Sequence, residues 1–431
     1  MSTNCEAENS ITPIAITDFR HRKDVFGIRK KDRRNHIYVI GKTGTGKSTL
    51  LKNMLVSDIR QGDGLALIDP HGDLADNILS YVPEERMEDV IYFNPSDTKY
   101  PIAFNPLEET RSEQRYLVAS GLISIFKKIW PDYWGPRLEH ILRYSLLTLL
   151  EYPGSTLLDL PRLLTDVTFR EAVLKSVKDQ HVRDFWLLQS GKSSGASKAE
   201  AVSPILNKTG QIIASPYIRY ILGQSKSAFD LRSVMDKGLI LIVNLSKGRI
   251  GEDTSSFLGA MIVSSIMHTA ASRADIPESQ RRPFHLYVDE VQNFLTLAFT
   301  DILSESRKYG LDLVLAHQYI AQLDEKVKSA IFGNVGTIIS FRAGAEDAPF
   351  LAREFRPVFD IDDLIAMPNY HIYLKLMIDG ATSKPFSAKT LLPPRVKTSY
   401  RREIVEFSRF KYGRPRFEVE EELNIRHDSS C

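Results

Sequence analysis

The sequence predicts an α/β protein: a central, mainly parallel β-sheet with helices on both faces, plus an inserted all-α domain and a C-terminal helical tail. Short, continuously apolar strands alternate with helical segments in two separate parts of the chain. Strands of this kind are typical of parallel sheets covered on both faces. The stretch between the two parts has apolar residues at helical spacing instead, which predicts helices. The length of 431 residues suits more than one domain, since a domain usually has ~100–200 residues.

The first strand-rich part, residues 37–107, follows a leader of residues 1–36. Its predicted elements are the strands His36–Ile40, Gly64–Ile68 and Asp89–Phe93 and a helix at Lys47–Ile59. The leader ends in a basic run: Arg20, Arg22, Lys23, Arg29, Lys30, Lys31, Arg33 and Arg34. Two interpretations of this run stay open, a solvated edge before the first strand or a surface that faces DNA or another subunit.

The predicted α-helical insertion covers residues 108–236. Its expected helices are Tyr116–Trp130, Arg137–Leu150 and Phe169–Leu188, followed by a polar break at Gly191–Ser197. Strands resume in the second strand-rich part, residues 237–394, at Gly238–Asn244, Phe284–Val288, Leu311–Leu315, Val335–Phe341 and Tyr370–Met377. The charged remainder, residues 395–431, is expected to be a helical tail.

Composition narrows the class of protein. The formal charge of +2, from 56 basic and 54 acidic residues, excludes a histone-like coat of positive charge but not a local basic surface. The two cysteines, Cys5 and Cys431, cannot form a disulfide framework or a Cys-based zinc site. The longest apolar stretch, residues 257–271, is interrupted by polar residues, and the N-terminus has no apolar run of signal-peptide type. We therefore expect a soluble, cytoplasmic protein without membrane insertion.

Residues Gly41–Ser48 match the pattern G-x-x-x-x-G-K-[S/T] between a predicted strand and helix. Glycines allow successive backbone N–H groups to surround phosphates, and the helix N-terminus adds a favourable dipole. Lys47 can reach the β- and γ-phosphates, and the Ser48 hydroxyl can bind Mg²⁺. The predicted ATP-binding residues are Gly41, Lys42, Thr43, Gly44, Thr45, Gly46, Lys47, Ser48 and Thr49.

Acidic residues end the predicted strand Phe284–Val288. Asp289 is expected to hold Mg²⁺ together with Ser48. Glu290 can polarise a water molecule for attack on the γ-phosphate, which favours hydrolysis over simple binding. Together with Gly41–Ser48, called here the phosphate loop, Asp289 and Glu290 predict a RecA-like P-loop ATPase of the ASCE class.

Three further side chains are candidates for catalysis. Gln318 follows the strand after the one that carries Asp289, where an amide can sense the γ-phosphate. Arg307 ends the preceding helix and could complete the ATP site of a neighbouring subunit. Arg342, just after the strand ending at Phe341, is the alternative arginine finger. The competing interpretation is a helix-capping or solvent-exposed side chain for Gln318, and a helix-terminal arginine that counters the helix dipole for Arg307.

In this order the residues resemble the HerA–FtsK superfamily of DNA-pumping ATPases, and most closely the soluble relatives of the coupling proteins of conjugation and type IV secretion. The resemblance rests on Gly41–Ser48, Ile68–Asp73 (Ile-Asp-Pro-His-Gly-Asp), Val288–Glu290, Glu305–Gly310 and His317–Gln318, and extends to the tail segment Ser408–Arg416. It implies a ring, expected to be a hexamer, with ATP between subunits and DNA in a central channel. It also favours Arg307 over Arg342 as the finger.

The resemblance further implies a relaxase or nuclease partner. Two departures are clear: the transmembrane helices of membrane-bound coupling proteins and the N-terminal barrel of HerA proper are not recognisable in residues 1–36. A protein-remodelling or secretion ATPase of the same superfamily that does not act on DNA remains the alternative.

Candidate DNA contacts are less specific. The Gly191–Lys198 segment carries Lys192 and Lys198, and Ser246–Arg249 follows a strand end. Both could be phosphate-binding loops or ordinary solvated loops. Trp130, Tyr133 and Trp134 could stack on bases, or could belong to the core of the helical domain.

Overall fold

The computed structural model describes residues 10–18, 23–108, 112–191 and 195–428. The chain divides into two compact units. The sheet unit comprises residues 1–92, 231–244 and 269–407, and the helical unit comprises residues 93–230, 245–268 and 408–431. The expected α-helical insertion of residues 108–236 supplies most of the helical unit, which also draws on residues 245–268 and 408–431.

An 11-stranded sheet forms the centre of the sheet unit, in the order β2-β1-β13-β10-β9-β3-β8-β7-β4-β6-β5. Its strands are β1 Ile11–Thr17, β2 Val25–Arg29, β3 Ile37–Ile40, β4 Gly64–Asp69, β5 Val90–Phe93, β6 Ile240–Asn244, β7 Phe284–Val288, β8 Leu311–His317, β9 Thr337–Ser340, β10 His371–Lys375 and β13 Phe386–Thr390. A separate two-stranded ribbon pairs β11 Met377–Ile378 with β12 Ala381–Thr382.

Parallel pairing dominates the middle of this sheet. Strands β9, β3, β8, β7, β4 and β6 are parallel neighbours. Every residue of β3, β4, β6, β7, β8 and β9 is buried. Strands β10, β13, β1 and β2 continue the sheet with antiparallel pairing. The predicted α/β fold with a mainly parallel sheet is thus confirmed.

Helices cover the sheet. The helices with all or most of their residues in the sheet unit are Lys30–Arg33, Lys47–Arg60, Asp73–Ile78, Leu231–Lys237, Leu297–Leu303, Glu325–Asn334, Ala348–Phe355, Ile361–Ala366 and Arg401–Tyr412. Leu50, Leu51, Met54 and Leu55 of the helix Lys47–Arg60 are completely buried and pack in one core with Ile37 and Val39 of β3. This packing fixes the start of the helix at the end of β3.

The helical unit has a core of its own. Its helices are Arg115–Ile129, Pro136–Leu150, Asp159–Thr165, Val167–Leu174, Gln180–Gly191, Gly195–Ala214, Pro216–Leu222, Lys247–Ile250, most of Glu252–Ser272, and Arg416–Asp428. The prediction of a single helix at Phe169–Leu188 is wrong, because one helix ends at Leu174 and the next begins at Gln180. Asp179 favours the start of the second helix, because its carboxylate accepts a hydrogen bond from the N–H of His181 at 2.8 Å and so caps the helix N-terminus.

The basic run of the leader is not simply a surface. Strands β1 and β2, which the sequence did not predict, join the leader to the sheet. Arg33 is completely buried, and Lys30 pairs with Asp63 at 2.6 Å. For these two residues, both interpretations drawn from the sequence are wrong, because each cation has a specific carboxylate partner. Arg20 and Arg22 lie outside the described residues.

Candidate active site

The phosphate loop lies at the carboxyl end of β3. The helix Lys47–Arg60 begins at once after it, with Gly46 as its N-cap and no side chain bonded to that cap. The first N–H groups of a helix have no partner within the helix, so this terminus can receive an anion. Gly44 and Gly46 have φ values of 76° and 122°, which L side chains rarely adopt. A Cβ on Gly41 would lie only 2.4 Å from the Cβ of Phe341.

Neighbouring strands hold the loop in place. The Gly41 N–H donates to the carbonyl of His317 at the end of β8 (3.3 Å), and the Lys42 N–H donates to the carbonyl of Arg342 after β9 (3.0 Å). On the same side as β9, the Tyr370 N–H donates to the carbonyl of Thr45 at 2.8 Å. The loop is therefore fixed to the ends of three strands.

Lys47 is folded back onto this loop. Its Nζ donates to the carbonyl oxygens of Gly41 (2.5 Å) and Lys42 (3.3 Å). Burial lowers the pKa of Lys47, and the charges of Glu290 and Asp289 partly oppose that shift. Both partners of the ammonium group are neutral carbonyl oxygens, so the charged oxygens of a phosphate could replace them.

Asp289 and Glu290 follow β7 directly and are both buried. The Asp289 N–H donates to the carbonyl of Ile68 at the end of β4 (3.0 Å), which holds the pair beside the turn after β4. Burial, together with the nearby charges of Asp69 and Glu290, raises the pKa of Asp289 to about 7, although Lys47 opposes the shift. Such a concentration of carboxylates is suited to a divalent cation.

Glu290 is the centre of a polar cluster. It has a left-handed backbone conformation, with φ 49°, which is uncommon outside glycine and often accompanies function. Gln318 donates from Nε2 to Oε1 of Glu290, and Thr43 donates to Oε1 of Gln318 at 3.1 Å. Gln292 donates to the other carboxylate oxygen at 2.9 Å. A chain of contacts therefore runs from the phosphate loop through Gln318 to Glu290.

The turn after β4 is organised by Asp69. Its carboxylate accepts from the N–H groups of His71 and Ala75, both at 2.9 Å. This arrangement holds His71 with its Nε2 4.0 Å from Oε1 of Glu290. The resemblance drawn from the sequence includes this turn within Ile68–Asp73, but the sequence did not point to His71 or Gln292 as neighbours of Glu290. Gln292 lies two residues after Glu290, which is the one local signal that could have found it.

His317 is a further member of the site that the sequence did not single out as functional. It is completely buried, and its Nδ1 lies 2.9 Å from the hydroxyl of Tyr38 on β3. Burial, with a contribution from the charge of Lys47, lowers the pKa of His317 to about 3. The imidazole is therefore neutral at physiological pH and adds no positive charge beside Lys47.

The two candidate arginine fingers lie at opposite ends of the central strands: Arg342 follows the end of β9, and Arg307 precedes the start of β8. Arg342 follows β9 beside the phosphate loop, and its guanidinium donates to Asn369 Oδ1 at 2.9 Å. Arg307 is exposed before the start of β8, where it donates to Asn35 Oδ1 at 2.7 Å. Gln318 follows the end of the same strand, and the seven residues of β8 span about 20 Å. Arg307 is therefore remote from the candidate nucleotide site of its own chain.

The candidate DNA contacts fall elsewhere. Residues 247–250 form a short helix on which Arg249 is exposed. Trp130 stacks on Phe126 with ring centroids 5.2 Å apart, and Trp134 donates to Glu139 at 2.7 Å. These two contacts are structural ones within the helical unit. Lys192, and the side chains of Tyr133 and Lys198, lie outside the described part of the structure.

The sequence model of the type IV secretion-system coupling protein DNA-binding domain matches residues 24–352, most of the chain. The chain belongs to this family. The resemblance to HerA–FtsK-type coupling proteins expected from the sequence is thereby confirmed. No curated protein matches the chain significantly in sequence. Among its described residues, no helix of this coupling-protein family member is long and apolar enough to span a bilayer.

Solved structures of coupling proteins share the family fold. The bacterial conjugative coupling protein TrwBΔN70, unbound, superposes with a TM-score of 0.63 at 16% identity, covering 92% of both chains. The plasmid coupling protein TrwB in complex with ADP and Mg²⁺ gives the same score and identity, over 92% of this chain and 93% of TrwB. VirB4 of Thermoanaerobacter pseudethanolicus gives 0.60 at 14% identity, over 89% of this chain and 97% of VirB4. At these identities the likeness concerns the fold.

Proposed function

We propose that this coupling-protein relative hydrolyses ATP to move DNA, as a ring-shaped motor in conjugative transfer or a related DNA-processing or defence complex. The observation that carries the proposal is the chain of contacts from Thr43 through Gln318 to Glu290, because it links the phosphate loop to a carboxylate that can activate water. Membership of the coupling-protein family supports DNA as the track.

ATP would bind with its phosphates on the N–H groups of residues 43–49, since those of Gly41 and Lys42 already donate to the neighbouring strand ends. Lys47 would exchange its two carbonyl partners for phosphate oxygens. Mg²⁺ would be held by Ser48, which is exposed at the helix start, and by Asp289. Burial and the nearby charges of Asp69 and Glu290, which raise the pKa of Asp289, support this fit, since a cation would offset the repulsion among these carboxylates. The cation would supply charge neutralisation on the phosphates.

Glu290 would accept a proton from the water that attacks the γ-phosphate, which yields ADP and inorganic phosphate. Gln318 contacts Glu290 and Thr43 together, so loss of the γ-phosphate would change a contact that reaches the phosphate loop. Arg307 would act on the ATP of the next subunit, because it is exposed and remote from its own site. That requirement supports a homo-oligomer, and we propose a hexamer.

A relaxase or nuclease is the partner that such a motor would serve, because either enzyme processes the DNA that the ring moves. This partner is part of the proposal and follows from the family resemblance. Direct contacts of the ring with DNA would come from basic surface segments, and the described candidate is the start of the short helix Lys247–Ile250.

The test is ATP hydrolysis by the purified chain at low and moderate salt, without nucleic acid and with linear duplex or single-stranded DNA. We expect strong stimulation by DNA, and we expect Glu290→Gln to abolish it. A high rate of hydrolysis that does not change when DNA is added would contradict a DNA motor and would favour a protein-remodelling or secretion ATPase. Hydrolysis that persists in Glu290→Gln would remove this residue from the role of base.

A further inference from the structure

Tyr370 is an unusual residue beside the phosphate loop. Its φ of 65° lies in the left-handed region, where a bulky aromatic residue is an outlier. Three hydrogen bonds hold it there. Its N–H donates to the Thr45 carbonyl at 2.8 Å, and its own carbonyl accepts from the N–H (2.8 Å) and the hydroxyl (3.2 Å) of Thr390. Strain that its surroundings maintain in this way is a feature of ligand sites.

The ring of Tyr370 is nevertheless open to solvent. The ring packs closely against the phosphate loop, because a Cβ on Gly46 would lie 3.0 Å from Cδ1 of Tyr370. Even so, the residue is 46% exposed. An aromatic face thus stands in contact with the phosphate loop without a protein partner that covers it fully.

The order of the strands places this ring on a defined side of the loop. Strands β8 and β7, which lead to Gln318 and Glu290, lie on one side of β3, and β9 and β10 lie on the other. Strand β10 is antiparallel to β9, so Tyr370 at its start lies at the same edge of the sheet as the end of β9. The γ-phosphate belongs with Glu290 and Gln318. A nucleotide that extends from there across the loop would place its base on the other side, toward β9 and β10.

We propose that the nucleobase of the bound nucleotide stacks on the ring of Tyr370. This inference rests on the proposed function, since it concerns the same nucleotide site, and it adds the residue that holds the base. Base–aromatic stacking uses the π-face that all bases share. Tyr370 would therefore contribute affinity for ATP and GTP alike, without reading the edge of the base.

The test compares nucleotide binding with binding of inorganic tripolyphosphate, both with Mg²⁺. Tyr370→Asn removes the ring but keeps a residue that tolerates the left-handed conformation, and Tyr370→Phe keeps the ring. We expect Tyr370→Asn to weaken ATP binding by about tenfold or more and to leave tripolyphosphate binding unchanged. Tyr370→Phe should match the original protein for both ligands.

The remaining outcomes all count against the inference. Equal weakening of ATP and tripolyphosphate in Tyr370→Asn would show that the residue only shapes the loop, and no weakening would show that the base lies elsewhere. Either result would leave the proposed ATPase intact if the original protein binds ATP. If the original protein binds neither ligand, the proposed function fails and the inference fails with it.

Discussion

At the scale of single residues, the site divides into groups that local sequence pattern reveals and groups that only the fold brings together. The placement of Lys47 and Ser48 at the start of a helix was predictable, because the loop pattern has a physical cause within eight residues. The bond between Gln318 and Glu290 joins positions 28 apart in sequence, and the contact of Gln318 with Thr43 joins positions 275 apart. No local pattern encodes such pairs, so their geometry had to come from the sheet.

Replacement of Gln318 tests whether this contact matters for turnover. We expect Gln318→Ala to keep ATP affinity, because Lys47 and the backbone contacts of the loop do not involve this side chain. It should lose hydrolysis by about tenfold or more, because Glu290 loses the partner that orients it. Single-turnover hydrolysis and equilibrium binding measure the two effects separately.

Gln322→Ala is the matched control, since Gln322 is an exposed glutamine four residues further along. It should hydrolyse ATP at the original rate. Equal rates for both variants would rule out a catalytic or sensing role for Gln318.

At the scale of elements, the central strands were predictable and the leader was not. Strands such as β3 are continuously apolar, which marks them as buried. Strands β1 and β2 are short, contain Pro13 and Gly27, and pair in part with β13 more than 370 residues later. The basic run gave no indication that Arg33 is buried, because its partners Asp58, Tyr287 and Asp312 come from three other elements. Burial of a charge depends on such distant partners.

Arg33 stabilises the leader against the sheet unit. It lies 2.6 Å from Asp58 and 3.0 Å from the Tyr287 hydroxyl, and all three are completely buried. Removal of one member leaves an uncompensated buried charge, so Arg33→Met should lower the free energy of unfolding by about 3–5 kcal/mol. Chemical denaturation of the original protein and of Arg33→Met measures this difference in the free energy of unfolding.

Arg29→Met provides the comparison within the same basic run. Arg29 pairs with Asp379 at the surface, where the two side chains are 43% and 54% exposed. Exposed pairs contribute less than about 1 kcal/mol. A similar small loss in both variants would contradict the structural role of Arg33.

His285 gives this network a pH dependence. Burial and the charge of Arg33 lower its pKa, but Asp312 and Asp58 raise it more, to about 9 from 6.5. A pKa raised by folding stabilises the protein fully below the unfolded value. That contribution is lost as the pH rises through the folded value. We therefore expect the free energy of unfolding to fall by on the order of 2 kcal/mol between pH 6.5 and 9.

Denaturation at several pH values, with His285→Gln as the control, measures this loss. The variant should show a much weaker slope over the same window. The groups around the imidazole include Asp63 and Asp312, and their contacts with His285 help to lower the pKa of each carboxyl from its usual value, against the effect of burial. Their contribution is lost only in acid, so a slope of equal size in His285→Gln would mean that another group is responsible.

At the scale of the whole molecule, the position of Arg307 requires a neighbouring subunit if this residue is to touch ATP. Arg307→Ala should keep nucleotide affinity and lose hydrolysis by a factor of about 10³ or more, as expected for an arginine finger. Mixing it with Lys47→Ala protein should restore part of the activity, since one interface then combines an intact loop with an intact arginine.

Asn35→Ala is the control for this experiment. It removes the side chain that Arg307 contacts in the single chain but leaves the arginine in place, so hydrolysis should persist. Absence of any rescue in the mixture, with both variants assembled, would contradict the assignment of Arg307 to a shared site.

Movement along DNA is the central claim, and displacement of streptavidin from the biotinylated end of a DNA strand tests it most directly. With duplex and single-stranded substrates, we predict ATP-dependent displacement by the original protein and none by Glu290→Gln, which should still bind ATP. Displacement that depends on the end carrying biotin would also give the direction of travel. DNA-stimulated hydrolysis without displacement from either end of either substrate would contradict the account, because ATP turnover would then not be coupled to movement.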